Sequence, residues 1–318
     1  MSAWKVAMPF RHHATHVCEE AREMLRAAGF ELVCNDTGEK LSPEAQHEMI
    51  RDAFAVIAGT EKYDAVMLEG CDKLKVVIRF GVGTDNFDLA AMKKMGIKVG
   101  VIANYNAVAE HALMLLLSAM KSYPRYETEV RGGGWGRYPQ REISGKTVGL
   151  VGFGRIGKRF AELLSGFGVN LLVYDPYVKE EALKAYHATA ATLEDLLAKS
   201  DVVSLHLPST PETRHLINAE RLAMMKDGAY LINTARGALI DEAALVDALK
   251  SGKLSGAGLD VYEQEPVVAG NPLFALPNTA LTPHCSAITY ETNYNGGLTC
   301  AESIIRVRDG KDPVYRVC

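Results

Sequence analysis

The run from Ile143 to Asp175 constrains this chain more than any other. An apolar stretch, Thr147–Val151, leads into Gly152-Phe153-Gly154-Arg155-Ile156-Gly157; a helical stretch follows, and Asn170-Leu-Leu-Val-Tyr ends in Asp175. A strand, a glycine-rich turn, a helix, a second strand and a terminal acid make a βαβ nucleotide site. Gly152 permits the tight turn, Gly154 lets the backbone approach a pyrophosphate, and Gly157 lets the helix pack against the sheet. The helix start adds unpaired N–H groups and a positive dipole end. A glycine triplet alone also suits a turn in another doubly wound fold, so the acid decides. Asp175 lies 18 residues beyond Gly157, where a carboxylate accepts from both ribose hydroxyls and repels a 2′-phosphate. The cofactor expected is therefore NAD rather than NADP.

At 318 residues the chain is long for one core, and two domains are expected. With 23% charged residues, 48% hydrophobic residues and a formal net charge of −4, it has no basic stripe suited to nucleic acid and no evident affinity for an anionic membrane. The most apolar stretch, Ala107–Met120, is interrupted by Glu110 and His111 and is shorter than the ~20 residues of a spanning helix. The N-terminus reads as an immediate strand rather than a signal peptide, so a cytoplasmic location is expected. Cys18, Cys34, Cys71, Cys285, Cys300 and Cys318 are scattered, without Cys-x-x-Cys pairs or histidines at ligand spacing. Reduced, mostly buried thiols are expected, and no metal.

Along the first hundred residues, strands at Lys5–Met8, Phe30–Val33, Ala55–Gly59 and Leu74–Arg79 alternate with helical segments at Thr15–Ala28 and Pro43–Arg51, which reads as a small parallel α/β unit. The glycine-rich segment Arg79-Phe-Gly-Val-Gly83 follows an apolar strand, where open α/β sheets meet ligands. A helix at Leu89–Met95 and a strand at Ile97–Ile102 come next, then a buried helix over Asn106–Tyr123 stopped by Pro124. Tyr126–Glu142 reads as an extended arm carrying aromatics to a partner subunit, and a homodimer is expected. Beyond it, strands at Thr147–Val151, Leu171–Tyr174, Asp201–Leu207, Ala229–Thr234, Gly258–Tyr262 and Thr279–Thr282 make the six of a dinucleotide fold, with helices at Thr192–Ala198, Ala219–Met225 and Asp241–Leu249. A last helix, Thr289–Arg308, packs back on the N-terminal domain. The fold expected is α/β with two domains: a Rossmann dinucleotide-binding domain, residues 102–286, inserted in a smaller flavodoxin-like parallel substrate domain, residues 1–101 completed by 287–318.

Three polar residues sit just beyond late strand ends, where a ligand beside the nicotinamide lies. Arg236 follows Leu231-Ile-Asn-Thr-Ala235, Glu265 follows Gly258-Leu-Asp-Val-Tyr-Glu-Gln264, and His284 follows Ala280-Leu-Thr-Pro283. An arginine fork holds a carboxylate in two parallel bonds and polarises an adjacent carbonyl. A histidine donates a proton to that carbonyl oxygen as hydride arrives, and takes it back in reverse. A carboxylate against the imidazole favours its protonated form and fixes the ring. Taken singly each is an ordinary structural residue; together, at three strand ends of one nucleotide domain, they read as catalytic.

These blocks resemble the D-isomer-specific 2-hydroxyacid dehydrogenases. The resemblance rests on Gly149–Gly157, Asp201–Pro208 with Thr210–Thr213, Leu231–Leu239, Gly256–Pro266 and Thr282–His284. It implies an NAD-dependent oxidoreductase interconverting a small 2-oxo acid and the D-2-hydroxy acid, with Arg236 on the substrate carboxylate and carbonyl, Glu265 tuning His284, and His284 as acid/base. It also implies cofactor contacts at Arg155 and Ile156 by the pyrophosphate, at Asp175 by the adenine ribose, at Pro208, Thr213 and Thr234 along the cofactor, and at Asp260 near the nicotinamide. The loop of Arg79, Val82 and Gly83 is implied to give the substrate backbone donors. The chain departs from the family's commoner pattern at Ile102–Asn106 and at Cys285-Ser-Ala-Ile-Thr-Tyr290, both bordering the substrate, so the particular acid stays open.

Two rival readings follow. A phosphoglycerate dehydrogenase without a regulatory domain fits the same clamp. A non-catalytic NAD-sensing protein of corepressor type shares the fold; the intact trio and the short tail after Lys311 argue against it. A formate-type enzyme is disfavoured by the acid at Glu265. Elsewhere, Arg11, His12 and His13 read as a solvated loop, His206 as a core histidine and His111 as a packed or capping residue, while Tyr105 and Tyr290 are candidates to touch the substrate.

Overall fold

The structure is a computed structural model describing residues 4–11, 16–103 and 105–318. Contacts divide the chain into two units, Met1–Asn104 with Ile288–Cys318, and Tyr105–Ala287. Among the described residues, no helix is long and apolar enough to cross a membrane.

The first unit is built on β1 (Trp4–Met8), β2 (Phe30–Cys34), β3 (Ala55–Ala58), β4 (Val76–Arg79) and β5 (Lys98–Val101), in the order β2-β1-β3-β4-β5 with all pairs parallel. This is the flavodoxin order. The strand β3 and, up to Arg79, the strand β4 are apolar runs because both faces are covered. Ala55, Ile57, Val76 and Ile78 join a core with Leu25 and Ile304, whereas Val56, Ala58 and Val77 join another with Ile50, Tyr63 and Met92. The helix expected at Thr15–Ala28 is described over Glu19–Ala27; His12, His13 and Thr15 lie outside the described residues.

The helix Tyr290–Arg308, capped by Thr289 accepting from Thr292 N, returns to this unit and lays Cys300, Ala301 and Ile304 into its core. Two glycines permit the approach: a Cβ at Gly296 would lie 2.8 Å from Ile102 Cδ1, and one at Gly297 would lie 3.1 Å from Cys18 N. Beyond it, Val99 N donates to Cys318 O, Val101 N to Tyr315 O and Val317 N to Val99 O. The tail thus runs antiparallel along β5 and closes an edge that would otherwise stand open.

The second unit holds β6 (Thr147–Val151), β7 (Asn170–Tyr174), β8 (Ala188–Ala190), β9 (Val202–Leu205), β10 (Ala229–Asn233), β11 (Leu254–Leu259) and β12 (Thr279–Leu281), all parallel, in the order β12-β11-β10-β9-β6-β7-β8. It is the Rossmann arrangement with seven strands, not the six expected. The extra one, β8, has three residues and forms an edge. The strand expected at Gly258–Tyr262 lies instead at Leu254–Leu259, which moves Asp260, Val261 and Tyr262 onto the loop beyond its carboxyl end.

Two further expectations are corrected. The buried helix ends at Met120, because Ser122 adopts φ 48°, and Pro124 opens a second helix, Tyr123–Arg131, in whose first turn its missing N–H costs nothing. The first third of the supposed arm, Tyr126–Arg131, is therefore helical. The rest folds back: Tyr126 Oη donates to Tyr138 O and accepts from Tyr138 N, and Arg125 lies 3.6 Å over the Tyr138 ring, although Trp135 stays 76% exposed.

Candidate active site

The glycine-rich turn lies between β6 and β9, the point where strand order reverses and doubly wound folds bind ligands. Gly152 has φ 95°, and a Cβ there would lie 2.6 Å from His206 O; a Cβ on Gly157 would lie 2.4 Å from Gly152 O. Both positions demand glycine. At Gly154, which caps the helix Arg155–Leu164, a Cβ would meet nothing within 4 Å. That open space at a helix start is the cradle a pyrophosphate requires, so the residues present fit a dinucleotide. Arg155 is exposed, while Ile156 packs partly buried against the core, leaving Arg155 as the polar side chain of the pair.

Asp175 ends β7. Its Oδ2 accepts from Phe153 N at 2.7 Å and its Oδ1 from Tyr177 N at 2.9 Å, so the acid is braced against the glycine-rich turn and both oxygens keep further accepting capacity. After β9, Thr213 Oγ1 donates to Pro208 O at 2.9 Å and accepts from Thr210 N at 2.7 Å, which brings Pro208 and Thr213 together in one closed turn. Thr234, beyond β10, is 6% exposed, and its hydroxyl has no partner among the described residues. His206 is indeed a packed histidine: Nε2 lies 3.0 Å from Ser204 Oγ, the ring centre is 5.1 Å from that of Phe160, and burial pushes the imidazole down to about 3.

The trio assembles on loops after β10, β11 and β12. His284 Nδ1 lies 2.6 Å from Glu265 Oε2, and Glu265 Oε1 accepts from Tyr262 N at 3.0 Å. Burial alone would push the Glu265 carboxyl up; the bond and charge of His284, the Tyr262 N–H and the charge of Arg236 outweigh it and hold the group below its usual 4.5. The pair is open to solvent, with His284 44% and Glu265 33% exposed, as a proton-exchanging pair requires. Arg236 Nη1 donates to Ala235 O at 2.6 Å. The arginine is placed by Asn233, fully buried at the end of β10, whose Nδ2 donates to Arg236 O at 2.8 Å and whose Oδ1 accepts from Ala235 N at 3.0 Å. Beside it Gly237 touches the Glu265 loop, since a Cβ there would lie 1.9 Å from both Tyr262 C and Tyr262 O. Neither Asn233 nor Gly237 stood out in the sequence, where only their position inside Leu231–Leu239 marked them.

Asp260 is 0% exposed. Its Oδ1 accepts from Thr282 Oγ1 at 2.6 Å and Cys285 N at 2.9 Å, and its Oδ2 from Ser286 N at 2.9 Å. His111, expected to be a packed or capping residue, has Nε2 at 2.9 Å from Thr282 Oγ1 and 3.6 Å from Asp260 Oδ1. It belongs to a polar network instead. His111, Asp260 and Cys285 bring donor atoms within 4.8 Å of one another, but the carboxylate is already committed to three hydrogen bonds. All six cysteines are free, and only Cys71 and Cys300 are buried, fewer than expected. In the first unit, Arg79 Nη1 donates to Phe80 O at 2.7 Å, and Val82 and Gly83 follow on the loop after β4, with Val82 41% exposed. Arg11 is exposed just after β1, and Tyr290 opens the last helix 93% exposed.

A doubly wound domain with a dinucleotide cradle and an Arg, Glu and His at three adjacent strand ends defines a class of nicotinamide-dependent proteins, and comparison with known proteins narrows it. Residues 113–286 match the family model for the D-isomer specific 2-hydroxyacid dehydrogenase, NAD binding domain. A D-3-phosphoglycerate dehydrogenase of Archaeoglobus fulgidus is 37% identical over 305 residues, covering 93% of this chain and 57% of its own. A glyoxylate reductase of Aeropyrum pernix is 39% identical over 267 residues, covering 80% of this chain and 79% of its own. A D-lactate dehydrogenase from Aquifex aeolicus, solved with NAD and lactic acid, superposes with a TM-score of 0.82 at 31% identity over 96% of both chains. The chain belongs to the D-isomer specific 2-hydroxyacid dehydrogenase family, and its cofactor is NAD. It spans about half the length of the curated phosphoglycerate dehydrogenases it matches.

Proposed function

We propose that this protein interconverts a small 2-oxo acid and the corresponding D-2-hydroxy acid with NAD. One observation carries the reading: the 2.6 Å contact of His284 Nδ1 with Glu265, beside Arg236, on an NAD-binding domain. With Nδ1 engaged by the carboxylate, Nε2 is the ring nitrogen that exchanges a proton with the substrate oxygen. Glu265, kept ionised, compensates the charge His284 carries when protonated. Arg236 offers a planar fork that binds the substrate carboxylate and draws charge from the adjacent carbonyl. Arg155, Ile156, Asp175, Pro208, Thr213, Thr234 and Asp260 serve the cofactor, with the backbone of Gly152, Gly154 and Gly157 at its phosphates. The bound cofactor supplies or takes up the hydride. Arg79, Val82 and Gly83 serve the substrate, a role that rests on the family likeness.

The names of the relatives favour glyoxylate and phosphoglycerate among the acids to be tried first. A cytoplasmic homodimer completes the proposal: the six free cysteines suit a reducing compartment, and exposed Trp135 suits a subunit contact. The test is NADH oxidation with a panel of 2-oxo acids, including glyoxylate, hydroxypyruvate, pyruvate and 3-phosphohydroxypyruvate, ranked by kcat/KM. Turnover of at least one acid is expected. NADH binding without any turnover would mark the protein as a sensor of corepressor type.

A further inference from the structure

We propose that His111, on the helix Tyr105–Met120, is a positioning residue for His284, acting through Thr282 and Asp260. The inference deepens the proposed dehydrogenase reading and rests on it for its kinetic readout. His284 holds a left-handed backbone, φ 51°, which a β-carbon disfavours by about 1–2 kcal/mol, so its surroundings must hold it there. Besides a bond from His284 N to Thr282 O at 3.1 Å, most of that hold comes from one residue. Asp260 O accepts from His284 N at 2.8 Å, and the Asp260 carboxylate accepts from Cys285 N, Ser286 N and Thr282 Oγ1. The segment carrying the imidazole is thus clasped on both sides by a carboxylate with no exposed surface.

The direction of the bonds makes His111 part of the clasp. Thr282 Oγ1 donates to Asp260 Oδ1 at 2.6 Å, so its single hydroxyl proton is spent there. Thr282 Oγ1 then accepts from His111 at 2.9 Å, which requires a proton on Nε2 of His111. That donor orients the hydroxyl toward the buried carboxylate, and the ring itself lies 3.6 Å from Asp260 Oδ1. Burial pushes the imidazole of His111 down while Asp260 pulls it up, and a neutral ring with its proton on Nε2 meets the requirement without a buried positive charge. A second anchor reaches the same segment: Tyr262 Oη donates to Thr282 O at 3.0 Å. Without the His111 donor, Thr282 is free to rotate away, Asp260 loses an oriented partner, and the His284 segment loses the register in which Nδ1 meets Glu265.

The test compares wild type with His111→Phe, His111→Gln and Thr282→Val. His111→Phe keeps a ring without a donor and should lower kcat about tenfold, with substrate KM and NADH affinity changed less than about threefold. His111→Gln, which restores a side-chain N–H, should recover much of the loss. Thr282→Val should match His111→Phe, and the double variant should be no worse than the poorer single one, the mark of two residues acting in one chain. Amide hydrogen exchange at Cys285 and Ser286 should quicken about tenfold in His111→Phe and Thr282→Val. Unchanged kcat in His111→Phe, additive losses, or unchanged exchange would each overturn the proposal. If wild type turns over no acid, the dehydrogenase reading fails on its own, and the exchange rates still decide whether His111 holds the segment. Should His111→Phe not fold, His111→Gln and Thr282→Val carry the same comparison.

Discussion

His284 and Glu265 meet at 2.6 Å, Nδ1 to Oε2, across 19 residues of sequence and between the loops of two neighbouring strands. The contact leaves one imidazole nitrogen for chemistry and gives the protonated ring a fixed counter-charge. Glu265→Gln keeps the shape and removes that charge. The expected result is a fall of about 10–100-fold in kcat/KM with NADH affinity unchanged, read by steady-state kinetics and fluorescence titration. Full activity in the Glu265→Gln variant would mean that the carboxylate only orients the ring.

The same contact sets an acid boundary. The Glu265 carboxyl is held below its usual 4.5, so its ionised form, and the pairing it supports, is present above that value and is lost only as pH falls through the lower value in the folded protein. A pH profile of kcat should therefore show no loss attributable to Glu265 above pH 4.5, which comparison of wild type with Glu265→Gln reads directly. A carboxyl titrating above about pH 5 in wild type but not in the variant would contradict this.

Gly237 has no room for a side chain, since its Cβ position coincides with the carbonyl of Tyr262 at 1.9 Å. Gly237→Ala must push the loop from Asp260 to Glu265 away from Arg236. A stability loss of about 2–4 kcal/mol and near-complete loss of turnover are expected, measured by urea unfolding and NADH oxidation. Full activity would show that the two loops move independently.

Asp175, braced by Phe153 N and Tyr177 N, places a negative charge at the end of β7. NADH should be preferred over NADPH, and Asp175→Ser should lower the ratio of their kcat/KM values by at least about tenfold. Equal use of both cofactors by wild type would place the acid away from the ribose.

His206 is held neutral, its imidazole pushed down to about 3 from 6.5 in the unfolded chain. Between those values the unfolded chain binds the extra proton, so this contribution to stability is complete above pH 6.5 and is lost as pH falls toward 3. Because the residue as a whole is only partly buried, about 1–3 kcal/mol is expected between about pH 7 and pH 4.5. Urea unfolding at both values should show a flatter pH dependence in His206→Phe than in wild type; parallel curves would count against a neutral buried ring.

Much of this architecture was legible in the residues. Apolar runs bounded by glycines marked the parallel strands, and spacing alone placed Gly152, Gly154 and Gly157 on one turn with Asp175 after the next strand. What escaped follows from physical causes. The strand β8 is Ala188-Thr189-Ala190, a half-exposed edge with too little apolar surface to leave a pattern. The start of β11 was hidden because Leu254-Ser-Gly-Ala-Gly-Leu259 alternates small residues, and small they must be: a Cβ on Gly258 would lie 2.9 Å from Leu115 Cβ. Pro124 looked like a helix stop and is a helix start. The clasp of His111, Thr282 and Asp260 joins three distant segments, and no local spacing encodes it.

The central claim is that His284 exchanges the proton, and its most direct measurement is the kcat of His284→Ala beside that of wild type, with the acid wild type uses best. A fall of at least about 1,000-fold is expected with NADH affinity kept within about twofold. Turnover within about tenfold of wild type at intact NADH binding would contradict the account.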